Sequence, residues 1–158
     1  MALNAFLHLK GQKQGDIKGS VTQKGREGTI MVIEANHEIM SPISSSAGSA
    51  VGKRVHKPFV IVKELDKSSP HLYQAMINNE VLSSWQLDFF AAAVNGIEKQ
   101  DYSVVLSNAL ITDIKFALPN TRNADTGKLS PYETIEFIYQ TIEWIWTDGN
   151  VSATDKWM

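Results

Sequence analysis

The sequence predicts a mainly β fold, a two-sheet β-barrel with one short α-helix. Apolar residues recur with a period of two along most of the chain, and short glycine-bearing segments separate these runs. Only one stretch combines a helix start signal with helical spacing. The 158 residues are enough for one domain with a full hydrophobic core. We therefore expect a single domain over residues 1–158.

The N-terminal part of the chain predicts strands joined by tight turns. The segments FLHLKG (6–11) and GTIMVIEANHEIM (28–40) are apolar and rich in β-branched residues. The segments GQKQG (11–15) and KGREG (24–28) carry the glycines that such turns favour. A strand is expected in each apolar segment.

The segment VHKPFVIVKEL (55–65) predicts a strand with both faces covered. Val60 and Val62 fall on one face, while Phe59 and Ile61 fall on the other. Pro58 cannot donate to a strand ladder, so we expect it at the start or edge of this strand.

The segment SSPHLYQAMINNE (68–80) predicts the helix. Ser69 is expected at the N-cap and Pro70 at the first helical position. The apolar residues that follow recur at three to four positions, namely Leu72, Tyr73, Met76 and Ile77. The helix should end near Asn78 and Asn79.

Three long strands are predicted after the helix, over 81–93, 101–118 and 132–147, separated by VNGIE (94–98) and by 119–131. The last also fits a helical stripe, but its Ile, Thr and aromatic residues favour a strand. Its apolar phase changes along its length, so a β-bulge is expected near Gln140 or Thr141. The aromatic side chains of these strands are expected mainly in the core, namely Trp85, Phe89, Phe90, Trp144 and Trp146.

Composition excludes several classes of protein. Fifteen basic and seventeen acidic residues give a formal charge of -2, which offers no attraction to nucleic acid. Without cysteine, the chain has no disulfide, thiol catalyst or thiolate metal site. The N-terminus does not resemble a signal peptide, and no segment has the roughly 18 apolar residues of a membrane helix. We expect synthesis in the cytoplasm and no membrane insertion.

Catalytic and ligand-binding motifs are weak. His56, Asp66 and Ser69 supply the residue types of a catalytic triad, but their predicted structural roles explain them better. Glu34, Asn36 and Glu38 share a strand face, whereas His37 points to the other face.

The segment AGSAVGKR (47–54) lacks the first glycine and the final Ser or Thr of a phosphate loop, and it leads into a strand rather than a helix. We expect no catalytic residue, no cofactor and no metal, and therefore no enzyme.

The polar stretch 41–54 lies between two predicted strands and is long for a loop inside a compact domain. Lys53 and Arg54 place positive charge at its base. A loop of this kind is typically functional or disordered, and we expect it to project and bind a partner.

Three segments together resemble the Hcp family, the haemolysin-coregulated proteins that form the inner tube of the bacterial type VI secretion system. They are GQKQGDIKGSVTQKGREGTIMV (11–32), GKRVHKPFVIVKELDKSSPHLYQAM (52–76) and DKWM (155–158). The second is the most specific, and the similarity covers nearly the whole chain.

The resemblance implies a two-sheet barrel with one helix that forms hexameric rings stacked into a hollow tube. Such a tube is exported with a contractile sheath and a spike protein, and effector cargo occupies its lumen. The loop then contacts the next ring through Ser44, Ser45, Ser46, Gly48, Ser49, Lys53 and Arg54. Because the sequence stops at Met158, no C-terminal toxin extension is expected. The alternative class is a small monomeric β-barrel module that binds a ligand through exposed tryptophans.

Overall fold

The computed structural model describes residues 2–157, which form two main β-sheets and one helix. In chain order the elements are β1 (Ala5–Gly11), β2 (Gly15–Ile17), β3 (Ile30–Val32), β4 (Glu34–Asn36), β5 (Ile39–Met40), β6 (Ile43–Ser44), β7 (Ser49–Ala50), β8 (Val55–His56), β9 (Phe59–Glu64), α1 (Ser69–Ile77), β10 (Leu82–Ala92), β11 (Glu98–Ser107), β12 (Leu110–Ala117), β13 (Tyr132–Ile138), β14 (Thr141–Trp146) and β15 (Val151–Lys156). The predicted mainly β class with one short helix is confirmed.

The larger sheet has seven antiparallel strands in the order β15-β14-β11-β10-β1-β2, and β3 shares the outer edge of β1 with β2. The smaller sheet has four strands in the order β12-β13-β9-β4. Both sheets have free edges, so the predicted closure into a barrel is replaced by two sheets that share one core. Two further strand pairs, β5 with β8 and β6 with β7, stand apart from both sheets.

The core follows from alternation along the strands. Ile61 and Ile135 of the smaller sheet and Leu7 of the larger sheet are fully buried. Trp85 lies between the rings of Phe59 and Phe137, with ring centroids 5.1 and 5.5 Å apart in edge-on contacts. This aromatic cluster ties the two sheets together, because Trp85 belongs to the larger sheet and both phenylalanines belong to the smaller one.

Three of the predicted strands are correct in type but not continuous, because the chain changes sheets within them. The segment 28–40 passes from β3 to β4 at Ile33, and the segment 101–118 turns at Asn108, whose φ is +49°. The segment 132–147 breaks at 139–140, where a bulge was predicted. The phase change therefore marks a corner between sheets. The edge strand β15 was not predicted.

The helix begins at Ser69, and Ser68 occupies the N-cap, so the prediction of Ser69 as cap is wrong. The Ser69 hydroxyl instead accepts hydrogen bonds from the Asp66 N–H and the Lys63 ammonium. Leu72 is buried and Met76 packs on the core as the apolar spacing predicts. Two members of the predicted stripe are exposed, and these are Tyr73 and Ile77. Within residues 2–157, no helix is long and apolar enough to cross a membrane.

Candidate functional site: the arm and its base

Residues 39–56, here called the arm, form a two-stranded ribbon. Near its base, β5 pairs with β8, and towards its tip, β6 pairs with β7. Gly48 has a φ of +60° and donates its N–H to the Ser44 carbonyl at 2.8 Å, which closes the tip. The predicted loop over 41–54 is therefore partly strand.

The surface of the arm is largely accessible. Ser44 is half-buried, and the other six predicted contact residues are exposed, namely Ser45, Ser46, Gly48, Ser49, Lys53 and Arg54. Exposed apolar side chains accompany them, with Ile43 73% exposed and Val51 47% exposed. Exposed apolar groups beside polar ones are typical of a surface that contacts another protein.

The base of the arm is attached to the C-terminal strand β15 by an ion pair. The Arg54 guanidinium donates two hydrogen bonds to the Asp155 carboxylate, Nε to Oδ2 at 2.8 Å and Nη2 to Oδ1 at 2.9 Å. These bonds from Arg54 hold the pKa of Asp155 well below its usual range. The positive charge of Arg54 is thus engaged within the chain.

A hydrogen-bonded chain continues inward from Asp155. Its carboxylate accepts from His56 Nε2 at 2.9 Å, and His56 Nδ1 lies 2.7 Å from the Tyr139 hydroxyl. The same hydroxyl lies 2.8 Å from His37 Nε2. The Trp157 ring packs edge-on against Tyr139 and lies beside His56, at centroid distances of 5.0 and 5.9 Å.

The ionised carboxylate fixes the hydrogen positions in this chain. A carboxylate only accepts, so His56 carries its hydrogen on Nε2 and its Nδ1 accepts from Tyr139. The tyrosine oxygen then accepts from His37 Nε2. Burial raises the pKa of Tyr139 and lowers that of His37, with the neighbouring His56 as a second cause for His37. The arrangement holds both histidines on the buried Tyr139 hydroxyl.

The triad candidates lie in two separate networks. His56 belongs to the chain just described, while the Ser69 hydroxyl donates to Glu133 at 3.0 Å and accepts from Lys63 at 3.1 Å. Lys63 also lies 3.2 Å from Asp66. The residue types of a triad are present, but the fold does not bring His56 to Ser69.

The metal and phosphate candidates have structural roles. The Asn36 amide donates to Glu34 at 3.2 Å, and His37 points away from them to Tyr139. Between residues 2 and 157, no group of three or more His, Asp or Glu side chains could hold a metal ion. The segment 47–54 contains β7 and leads into β8, as the sequence predicted.

The aromatic side chains were expected mainly in the core. Trp85 is fully buried, and Phe89 and Trp144 pack against the core. Phe90 instead lies under the guanidinium of Arg26, which is 3.7 Å from its ring centre. Trp146 is 46% exposed and therefore lies outside the core.

Comparison with known proteins identifies the family. The model of the family described as "Type VI secretion system effector, Hcp" matches residues 6–146. A Pseudomonas aeruginosa protein named "Major exported protein" is 32% identical over an alignment that covers 99% of this chain and 96% of that protein.

Solved structures agree with this assignment. A crystal structure of an Hcp protein is 28% identical with a TM-score of 0.91, and the match covers 98% of each chain. Hcp1 of the E. coli EAEC 042 pathovar is 31% identical with a TM-score of 0.86 over 99% of each chain. The secreted protein Hcp3 of Pseudomonas aeruginosa is 29% identical with a TM-score of 0.82, covering 100% of this chain and 99% of its own. The chain belongs to the Hcp family of type VI secretion system proteins.

Proposed function

We propose that this chain is the structural subunit of the type VI inner tube. Six copies form a closed ring, and rings stack into a hollow tube that a contractile sheath and a spike protein deliver out of the cell. Effector proteins travel in the lumen. The subunit stays in the cytoplasm until the tube is fired and performs no catalysis itself.

The observation that carries this proposal is the arm. It is a two-stranded ribbon whose tip pairs with neither sheet, and its exposed side chains include Met40 and Ile43 at 46% and 73% exposure. A monomer gains little from such a projection, because it buries little apolar surface. In a stacked tube, the arm would reach the neighbouring ring and bury those side chains.

The symmetry of a tube fits a chain with distinct end surfaces. A six-fold ring needs head-to-tail contacts that close, and stacking needs two different faces that repeat without closing. The arm supplies one stacking surface.

The mass of the purified protein in solution tests the ring. Light scattering on a sizing column should give about 105 kDa, six times the mass of a 17.5 kDa chain. A stable monomer at high concentration would contradict the proposal and favour the monomeric ligand-binding module.

Shortening the arm tests the stacking contact. Replacing residues 44–51 by a short turn removes the β6–β7 hairpin and leaves the β5–β8 pair intact. We expect rings of normal mass and loss of tube-dependent secretion. As a control, the same replacement over residues 121–128, in the exposed connection between β12 and β13, should preserve secretion. Normal secretion by the arm variant would sink the stacking role.

A further inference from the structure

The hydrogen-bonded chain at the base of the arm joins parts of the molecule that are distant in sequence. His37 precedes the arm, Arg54 and His56 lie on its returning side, Tyr139 lies at the corner between β13 and β14, and Asp155 lies on β15. Each link is 2.7 to 2.9 Å long. Both ends of the arm are therefore tied through Tyr139 and Asp155 to the body of the protein.

We propose that five side chains form a latch that fixes the direction of the arm relative to β15, namely Arg54, Asp155, His56, Tyr139 and His37. The latch stays closed when one proton is added to it. It opens when both histidines are protonated. The use of this latch in ring stacking rests on the proposed function. The latch itself is a property of the single chain.

The first proton reverses the hydrogen bonds without breaking them. In the neutral state His56 donates to Asp155, Tyr139 donates to His56, and His37 donates to Tyr139. If His56 gains a proton on Nδ1, it donates to both neighbours. The Tyr139 hydroxyl then turns to donate to His37 Nε2, and the His37 hydrogen moves to Nδ1 through exchange with water. Every link is kept.

When a second proton is added, no rearrangement of hydrogen positions keeps every hydrogen bond of the latch. When both imidazoles are charged, each donates to the Tyr139 oxygen, and the hydroxyl hydrogen loses its acceptor. Two positive rings then face each other across Tyr139, while the carboxylate of Asp155 contacts only His56 and Arg54 among these groups. Like charges at this spacing repel, and a buried unpaired hydroxyl adds a further penalty. The link between His37 and Tyr139 then fails and frees the entering end of the arm, while Asp155 keeps its bonds to His56 and Arg54.

Some groups around His37 disfavour its charged form, and others favour it. One face of the ring stacks on Phe59 at 5.2 Å between centroids. On the open side lies a cavity of about 380 Å³, whose charged lining residues are Glu38, Lys57 and Glu136. Glu38 is paired with Lys57 at 3.3 Å, and a hydrogen bond to the backbone of Lys57 acts to raise the pKa of His37. Burial outweighs it, since the pKa of His37 is lowered.

Hydrogen exchange on isolated rings tests the latch. Asp155→Ala removes the links to Arg54 and His56, and Tyr139→Phe removes the central hydroxyl while keeping the ring. At pH 7.5 we expect each to speed exchange over residues 39–57 by about tenfold or more, since a hydrogen bond to a charged group is lost in the first case. Asp155→Ala should also speed exchange over 151–157. Exchange in β1 and β10, which reports global unfolding, gives the reference against which the increase over 39–57 is measured.

Ser152→Ala is the matched control. Ser152 lies on the same strand as Asp155, is exposed, and faces Ile145 across the ladder. Its substitution should leave the exchange of the arm unchanged. If Asp155→Ala and Tyr139→Phe exchange like this control, the latch is overturned.

Acid provides the second test. Protection factors, which correct for the pH dependence of intrinsic exchange, should fall over 39–57 between pH 7.5 and pH 5 in the native protein. His37→Gln keeps a donor near the Tyr139 hydroxyl but cannot take a proton, so its arm should stay protected at pH 5. Equal loss of protection in the native protein and His37→Gln would overturn the two-proton mechanism.

Light scattering on the same samples separates this inference from the proposed function. A native protein that is monomeric would refute the ring but would leave the comparison of exchange between variants valid. A native ring whose arm is unaffected by Asp155→Ala would refute the latch alone. Ring mass should be normal in Asp155→Ala, because the latch orients the arm and does not form the ring.

Discussion

Two hydrogen-bonded polar networks of this protein differ in connectivity: one is a closed cluster and the other is a linear chain. The cluster beneath α1 contains Lys63, Asp66, Ser69 and Glu133. The Lys63 ammonium is fully buried and has three partners, Glu133 at 2.9 Å, Ser69 at 3.1 Å and Asp66 at 3.2 Å. Ser69 also donates to Glu133, so the cluster closes on itself.

The latch is a linear chain by contrast. It runs from His37 to Arg54, and the side chain of Arg54 is 55% exposed. Each inner member depends on the next, with Tyr139 as the link between the histidines. The closed cluster is buried within the body of the protein, whereas the proposed latch is a linear chain that ends in solvent beside the projecting arm.

The largest effect is expected from breaking the closed cluster. Lys63→Met leaves the carboxylate of Glu133, which is 1% exposed, without its buried counter-charge. Such a change costs about 3 to 5 kcal/mol in the free energy of unfolding. Urea unfolding followed by tryptophan fluorescence measures it.

The double variant Lys63→Met with Glu133→Met is the control for this prediction. It removes both charges together, and it should recover most of the lost stability, because a buried pair can be replaced by apolar side chains at little net cost. A double variant as unstable as the single one would show that the cluster contributes through shape rather than charge.

The next largest effect is expected from the centre of the latch. Tyr139 is 4% exposed, and Tyr139→Phe leaves a ring nitrogen of each histidine without its partner. We expect a loss of about 1 to 3 kcal/mol in the same urea experiment. Phe89→Leu, on the larger sheet and outside both networks, gives the reference for simple loss of packing. A Tyr139→Phe loss as large as that of Lys63→Met would break the contrast between the two networks.

The strands could be predicted from the sequence, but their distribution between sheets could not. Alternation reports only that a residue faces a core, and both sheets share the same core. Ile33 and Asn108 therefore sit inside continuous patterns although the chain changes sheets there. The phase change at 139–140 did leave a signal, which a bulge and a corner explain equally well.

The arm could be located from its composition, while its latch could not. Small polar residues marked 41–54 as a projection. Asp155 lies in β15, whose residues are mostly exposed and carry no alternation of apolar side chains. Its role depends on a contact with Arg54, 101 residues earlier, which local pattern does not encode.

A smaller effect is expected from acid. The pKa of His37 is lowered in the folded protein, so the unfolded chain binds more protons near and below the ordinary value of about 6.5. The contribution of His37 is complete above that value and declines as the pH falls. The fall in unfolding free energy between pH 7.5 and 5.5 should therefore be smaller in His37→Gln than in the native protein. Identical pH profiles would remove His37 from the pH response.

The smallest effect is expected at the exposed end of the latch. Arg54→Ala removes one ion pair but leaves Asp155 bonded to His56, so the inner links remain. Exposed pairs contribute little and are screened by salt. The unfolding midpoint of Arg54→Ala should lie slightly below that of the native protein in low salt and coincide with it at about 0.5 M salt. Lys53→Ala, which alters the adjacent exposed charge, is the matched control. If the unfolding midpoints of Arg54→Ala and the native protein still differ in high salt, Arg54 acts as an inner member of the latch. The opening of the arm would then depend on its guanidinium as well as on the two histidines.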